Sequence, residues 1–113
     1  YKLNNLMIIY NVTTNVEESA HNEWIQWMQK EHIPMMLDTK KFSRAIMSRV
    51  LVEEEMGGFT YSVQYFTKDK AMLERYYSED ADRLRNESKR FAGKFVSFRT
   101  EMEVVGEAMA QAK

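Results

Sequence analysis

Residues 6–13, LMIIYNVT, are apolar, β-branched and aromatic, and they run into the polar triplet Thr13, Thr14, Asn15. Side chains of this kind suit a pleated surface, so the segment predicts a first strand ending at a turn. From there the period changes: Val16, Ala20, Trp24, Trp27 and Glu31 fall within about 80° of arc at 100° per residue, an amphipathic helical stripe. Asn15 with Glu18, or Thr14 with Glu17, makes a capping box to open that helix. Pro34 disfavours helical backbone just before it, so the helix is expected to end near Ile33. The same proline suits the first position of a short second helix, MMLDTK.

Phe42 to Val52 predicts a second strand, with Phe42, Ile46, Val50 and Val52 on one face and Ala45, Met47 and Leu51 on the other. Apolar groups on both faces imply that both are covered. The acidic turn from Glu53 to Met56 is followed by Gly57 and Gly58, which supply the positive φ a hairpin needs. Phe59, Tyr61, Val63 and Tyr65 then alternate with Thr60, Ser62 and Gln64, a third strand with one aromatic face. Between Thr67 and Arg90 the positions Leu73, Tyr77, Ala81, Leu84, Ser88 and Phe91 step by three and four, a long amphipathic helix. Seven basic and six acidic residues between Lys68 and Arg90 make its other face a solvated one with i,i+4 pairs. Gly93 punctuates, and Phe95 to Val105 predicts a fourth strand with Val96, Phe98, Met102 and Val104 opposite Ser97, Arg99, Glu101 and Glu103.

The order β-α-β-β-α-β is the split βαβ arrangement of the ferredoxin-like α+β fold. Right-handed crossovers place strands one and three in the centre of a four-stranded antiparallel sheet, with both helices on one face. Apolar residues on both faces of strands one, two and four call for a second copy to close the open face as a homodimer. The domain is expected over 6–105, with 1–5 and 106–113 as terminal extensions and Met7 as an alternative start.

At 113 residues the chain suffices for one core. Sixteen basic against seventeen acidic residues leave a net charge of -1, no footprint for nucleic acid or an anionic membrane. With no Cys there is no disulfide, thiol nucleophile, iron-sulfur cluster or common structural zinc site. The first apolar run, Leu6 to Tyr10, is far short of the roughly 20 residues of a membrane span and of a signal-peptide core, so a cytoplasmic location is expected. The triplets starting at Asn11 and Asn86 would be glycosylation acceptors only in a secreted chain.

The segments MIIYNVT at 7–13, EWIQWMQKEHIPMML at 23–37, RVLVEEEMGGFTYSVQY at 49–65 and FVSFRTEMEV at 95–104 resemble an uncharacterised bacterial domain-of-unknown-function family, DUF4286-like, of the dimeric α/β-barrel superfamily. The resemblance implies two ferredoxin-like monomers pairing their sheets into one barrel, as in small cofactor-free monooxygenases, haem-degrading enzymes and several lyases. It implies no assigned activity. A His near the end of the first helix, followed by a hydrophobic residue and Pro, often lines the pocket between sheet and helices in that superfamily, and His32 looks like that residue. One departure is Lys40 and Lys41, where relatives tend to place Gly before the second strand.

The two histidines, His21 and His32, are eleven residues apart, roughly 16 Å along a helix, too far to share a metal ion. No HExxH, GxSxG, P-loop or GxGxxG motif occurs, and no metal or cofactor is expected. Glu31 and His32 are neighbours that point about 100° apart on a helix, so they form no acid-base dyad. Glu31 projects from the apolar stripe toward the sheet, where Arg49 or Arg99 is its natural partner; a helix-end Glu reaching solvent is the plainer reading. His21 lies on the flank of the stripe, with solvent as its expected environment. His32 sits where the helix must stop, and a helix C-terminus raises the pKa of an imidazole.

Trp24, Trp27, Tyr10, Tyr61, Tyr65 and Phe98 are candidates to line a pocket for a flat apolar ligand, with nine Met as adaptable walls, although an ordinary filled core uses the same residues. Arg99 is costly among aromatic neighbours unless paired with an acid or a ligand anion, and Glu101 or Glu103 would be the usual partner. The candidate ligand-binding set is therefore Trp24, Trp27, Glu31, His32, Tyr61, Tyr65 and Arg99. Two functions follow: a homodimeric module holding a small hydrophobic or aromatic ligand, or a cofactor-independent monooxygenase-like enzyme acting on an aromatic substrate with His32 as its acid-base group.

Overall fold

The computed structural model describes residues 7–52, 55 and 57–111. The expected turn residues Glu53, Glu54 and Met56 and most of the terminal extensions lie outside them. Four strands, β1 (Ile8–Val16), β2 (Arg44–Arg49), β3 (Phe59–Thr67) and β4 (Phe95–Glu103), form one antiparallel sheet in the order β2-β3-β1-β4. The helices α1 (His21–Trp27), α2 (Ile33–Asp38), α3 (Lys70–Glu79) and α4 (Ala81–Asn86) complete the ferredoxin-like α+β fold. The register pairs Tyr10 with Tyr65 and Glu101, and Val12 with Val63 and Arg99, so these side chains share the face that meets the helices. No helix among the described residues is long and apolar enough to cross a membrane.

The first strand does not stop at Thr13. It continues to Val16, because the polar side chains taken for a turn find cross-strand partners: Thr14 Oγ1 lies 2.7 Å from Ser97 Oγ, and Asn15 Nδ2 donates to Thr60 Oγ1 at 3.1 Å. Neither capping box forms. A 3-10 turn at Glu18–Ala20 opens the helix layer instead, with no side-chain cap at Glu17.

The helix does not end at Ile33 either. A π-helical turn, Met28–His32, joins α1 to α2 without interruption, and Ile33 itself is helical at φ -61° and ψ -45°. Pro34 lacks an N–H, and in a regular α-helix its ring would collide with the carbonyl four residues back; the wider turn relieves this. The extra residue also resets the helical phase. Buried positions run Trp24, Trp27, Met28 and then Met36, and the expected inward position Glu31 points out.

β2 is shorter than expected. Phe42 is buried ahead of it against Tyr10, while Leu51 and Val52 leave the sheet, so only Arg44–Arg49 pair with β3. Lys40 takes φ 66°, the left-handed conformation for which Gly is best suited. Lys40→Gly should therefore stabilise the fold by about 0.5–1 kcal/mol, read as a thermal midpoint several degrees higher. Lys41 is buried and donates to Asp80 Oδ2 at 2.8 Å, with Glu79 at 3.1 Å. Asp80 is where the expected single long helix breaks into α3 and α4. The solvated face does carry the i,i+4 pairs Lys70–Glu74 and Arg75–Glu79.

The face away from the helices is mixed. Its centre is a polar network, with Ser62 Oγ donating to Asn11 Oδ1 at 2.6 Å and Asn11 Nδ2 donating to Thr13 Oγ1 at 3.0 Å. Apolar exposure concentrates on β4, where Val96 is 71% and Phe98 64% exposed, and continues at Ile46 of β2. Beyond Phe95, β4 is apolar on this open face alone, its other face carrying Ser97, Arg99, Glu101 and Glu103, so the expected two-faced apolar pattern fails for β4 as it does for the middle of β1.

Candidate functional site

A cavity of about 60 Å³ lies between the helix layer and the sheet. Trp24 and Trp27 of α1, Met28 of the π-turn and Met36 of α2 make its apolar wall; Tyr10 and Tyr65 make its floor; Arg85, Ser88, Ser97 and Arg99 stand on the side of α4 and β4.

His32 enters this cavity because of the π-turn. Five residues after Trp27, it stacks on that indole with ring centroids 4.7 Å apart, a spacing that would not align on an α-helix. Its Nδ1 is buried and has no hydrogen-bond partner among the described residues. Burial and the nearby Arg99 charge depress its pKa to about 4, the reverse of the rise expected from a helix end, since the helix does not end there. His32 is consequently neutral at neutral pH.

Tyr10 is buried in an aromatic cluster with Phe42, Tyr65 and Tyr76, yet its hydroxyl oxygen accepts from both Arg85 Nη2 at 3.1 Å and Arg99 Nε at 3.0 Å. Arg99 thus turns to Tyr10 and not to Glu101, which is held by Lys70 and by Tyr77 Oη at 2.5 Å. Burial raises the pKa of Tyr65 and Tyr76 above the ordinary phenol value, so both stay protonated.

Of the seven residues selected from sequence, the structure places Trp24, Trp27, His32, Tyr65 and Arg99 around the cavity. Glu31 is elsewhere: its side chain is 59% exposed and faces Arg90 at 3.8 Å, because the π-turn rotates it off the inner stripe; Arg49, offered as its partner, lies over the Phe59 ring instead. Tyr61 is buried under Trp24 and bonded to His21, outside the cavity wall. Phe98 belongs to the open sheet face, since it alternates with Arg99 on β4. His21 is not a solvent histidine. It stacks on Phe59 at 3.9 Å, and its Nε2 is 2.7 Å from Tyr61 Oη; burial, then the Arg49 charge, lowers its pKa. Sequence reasoning missed Arg85, because it sits within a mixed-charge run whose members look alike until the break at Asp80 turns α4 toward Tyr10.

Among the described residues no three His, Cys, Asp or Glu side chains come together to hold a metal ion. A family model described as "Domain of unknown function (DUF4286)" matches residues 7–105. No curated protein matches the chain. Among solved structures, a dimeric ferredoxin-like protein from an uncultured marine organism is 17% identical with a TM-score of 0.69, covering 91% of this chain and 99% of that one. SnoaB, a cofactor-independent oxygenase from Streptomyces nogalater, is 8% identical at a TM-score of 0.63, over 89% and 95% of the two chains. The hydroxynitrile lyase of Passiflora edulis is 16% identical at a TM-score of 0.61, over 91% and 97%. At these identities the likeness is one of fold.

Proposed function

We propose for this chain, which belongs to the DUF4286 family of domains of unknown function, that it is a homodimeric module binding a small apolar or aromatic molecule between its helices and its sheet. The observation that carries the reading is the cavity itself. Its wall is tryptophan and methionine, and the Nδ1 of His32, without a partner among the described residues, is a polar group that a bound molecule would satisfy. The chain's two tryptophans both line the cavity, so their indole N–H signals in NMR spectra report its occupancy. Both should shift on titration with small aromatic molecules. Invariant signals at millimolar concentrations of a broad aromatic panel would remove the pocket reading.

The dimer half of the proposal rests on exposed Val96 and Phe98 beside a sheet face that no helix covers, and on the dimeric protein of like fold. An interface of the obligate kind would bury on the order of 2,000 Å² or more. Light scattering should give twice the monomer mass at micromolar concentration, and Phe98→Glu should shift it to the monomer mass with the fold retained. A wild-type monomer would overturn this.

A cofactor-independent oxygenase is the second reading. It is favoured by the neutral His32 facing the cavity, a state in which an imidazole can accept a proton at neutral pH, and by the fold shared with SnoaB. His32 has no hydrogen bond to Glu31, Tyr or Arg among the described residues, so the binding module is preferred. Oxygen uptake with hydroquinone-type aromatics, abolished by His32→Ala, would reverse that preference.

A further inference from the structure

Two guanidiniums converge on one phenol oxygen, each using one donor on Tyr10 Oη, and are therefore within about 6 Å of each other. Neither Arg85 nor Arg99 forms an ion pair with a carboxylate among the described residues, although Arg75, Arg83 and Arg90 on the same helical layer all do. Like charges brought together at the edge of an apolar cavity repel, and an arginine has a fork of further N–H groups beyond the one each spends here. The Tyr10 hydroxyl accepts both contacts and makes no donated hydrogen bond to a described residue, so its proton is a third donor at the same point. On the helix side the hydroxyl of Ser88 is turned away to the Arg85 carbonyl at 2.6 Å, and on the sheet side that of Ser97 is engaged with Thr14. What the point lacks is an acceptor carrying negative charge.

We propose that the ligand of this cavity is an organic anion, a carboxylate on a small apolar or aromatic body, whose charged oxygens bind between Arg85 and Arg99 beside Tyr10 while its body lies against Trp24, Trp27, Met28 and Met36. This rests on the pocket reading above and adds the charge to it. A planar carboxylate presents two charged oxygens that match the parallel donors of a guanidinium fork, whereas an amide offers one uncharged carbonyl oxygen and an alcohol one uncharged hydroxyl. The net charge of the chain, -1, gives no general attraction for anions, so any preference must come from this pair.

The test compares acids with their primary amides, which have nearly the same shape: acetate with acetamide, benzoate with benzamide, and phenylacetate with phenylacetamide. Each is titrated into the full chain at constant ionic strength while the two indole N–H signals are followed. The expected result is that at least one acid binds ten-fold or more tightly than its amide, and that Arg99→Gln and Arg85→Gln, with melting curves showing both folded, each abolish that ratio. Amides binding as well as acids would overturn the anion inference and leave the pocket reading standing. So would an acid preference that survives in both variants. Invariant indole signals with all six compounds would take down the pocket reading and this inference with it.

Discussion

Truncating Trp27 to Ala should cost the fold about 3–5 kcal/mol, and Trp24→Ala a similar amount, out of a total stability that for domains of this kind is about 5–15 kcal/mol. Trp27 is 4% and Trp24 2% exposed. Trp27 packs on Phe91 at 5.4 Å and under His32 at 4.7 Å, and Trp24 packs on Tyr61 at 5.4 Å. Removing either indole loses its transfer free energy and also leaves a void, which at both positions merges with the cavity already present. The surrounding walls are regular helix and strand, so they close only partly over the gap. Thermal denaturation should show midpoints lower by more than about 10 °C. A variant melting within about 2 °C of wild type would show that its indole contributes nothing to the core.

Stability should also fall as pH is lowered from 6.5 toward 4, by about 3 kcal/mol from His32. The unfolded imidazole takes a proton near pH 6.5 and the folded one only near 4, because burial and then the Arg99 charge oppose it. Across that window the unfolded chain binds more protons, so acid favours unfolding; below the folded value the contribution is fully lost. His21, whose pKa is lowered in the same direction, adds to the slope. The depressed carboxylates act lower down: Glu79, held at about 2 by Arg75 and Lys41, and Glu101, held down by Lys70 and Tyr77, lose their contributions only below the ordinary carboxylate value. Denaturant titrations at pH 7.5, 6.5, 5.5 and 4.5 on wild type, His32→Gln and His21→Gln separate these groups. His32→Gln should remove most of the slope above pH 4.5. A wild-type stability that is level over this range would show that His32 is open to water.

Strand and helix order, the central position of β1 and β3 and the single helix-covered face were legible along the chain because they depend on periodicity. Alternation at Phe59 to Tyr65 and the steps of three and four at Leu73, Ala81, Leu84 and Phe91 are properties of local backbone geometry, and burial follows them. Trp24, Trp27 and Tyr65 reached the cavity for that reason. Where a single residue of phase matters, periodicity stopped being informative. Pro34 could end the helix or be absorbed by a wider turn, and the structure takes the second, with Met36 buried in the turn that follows. That one choice carries Glu31 out to Arg90 and His32 in to Trp27.

The convergence of Arg85 and Arg99 on Tyr10 lay further still from local pattern. These residues are separated by 75 and 89 positions from the oxygen they share, and only the pairing of β4 with β1 and the break before α4 bring them to it. Hydrophobic spacing is written residue by residue and so determines the elements and their buried faces. Which polar groups meet is decided by the tertiary structure, because a charged side chain on a strand edge or a helix flank has the same local signature whether it faces water, a neighbour or a cavity.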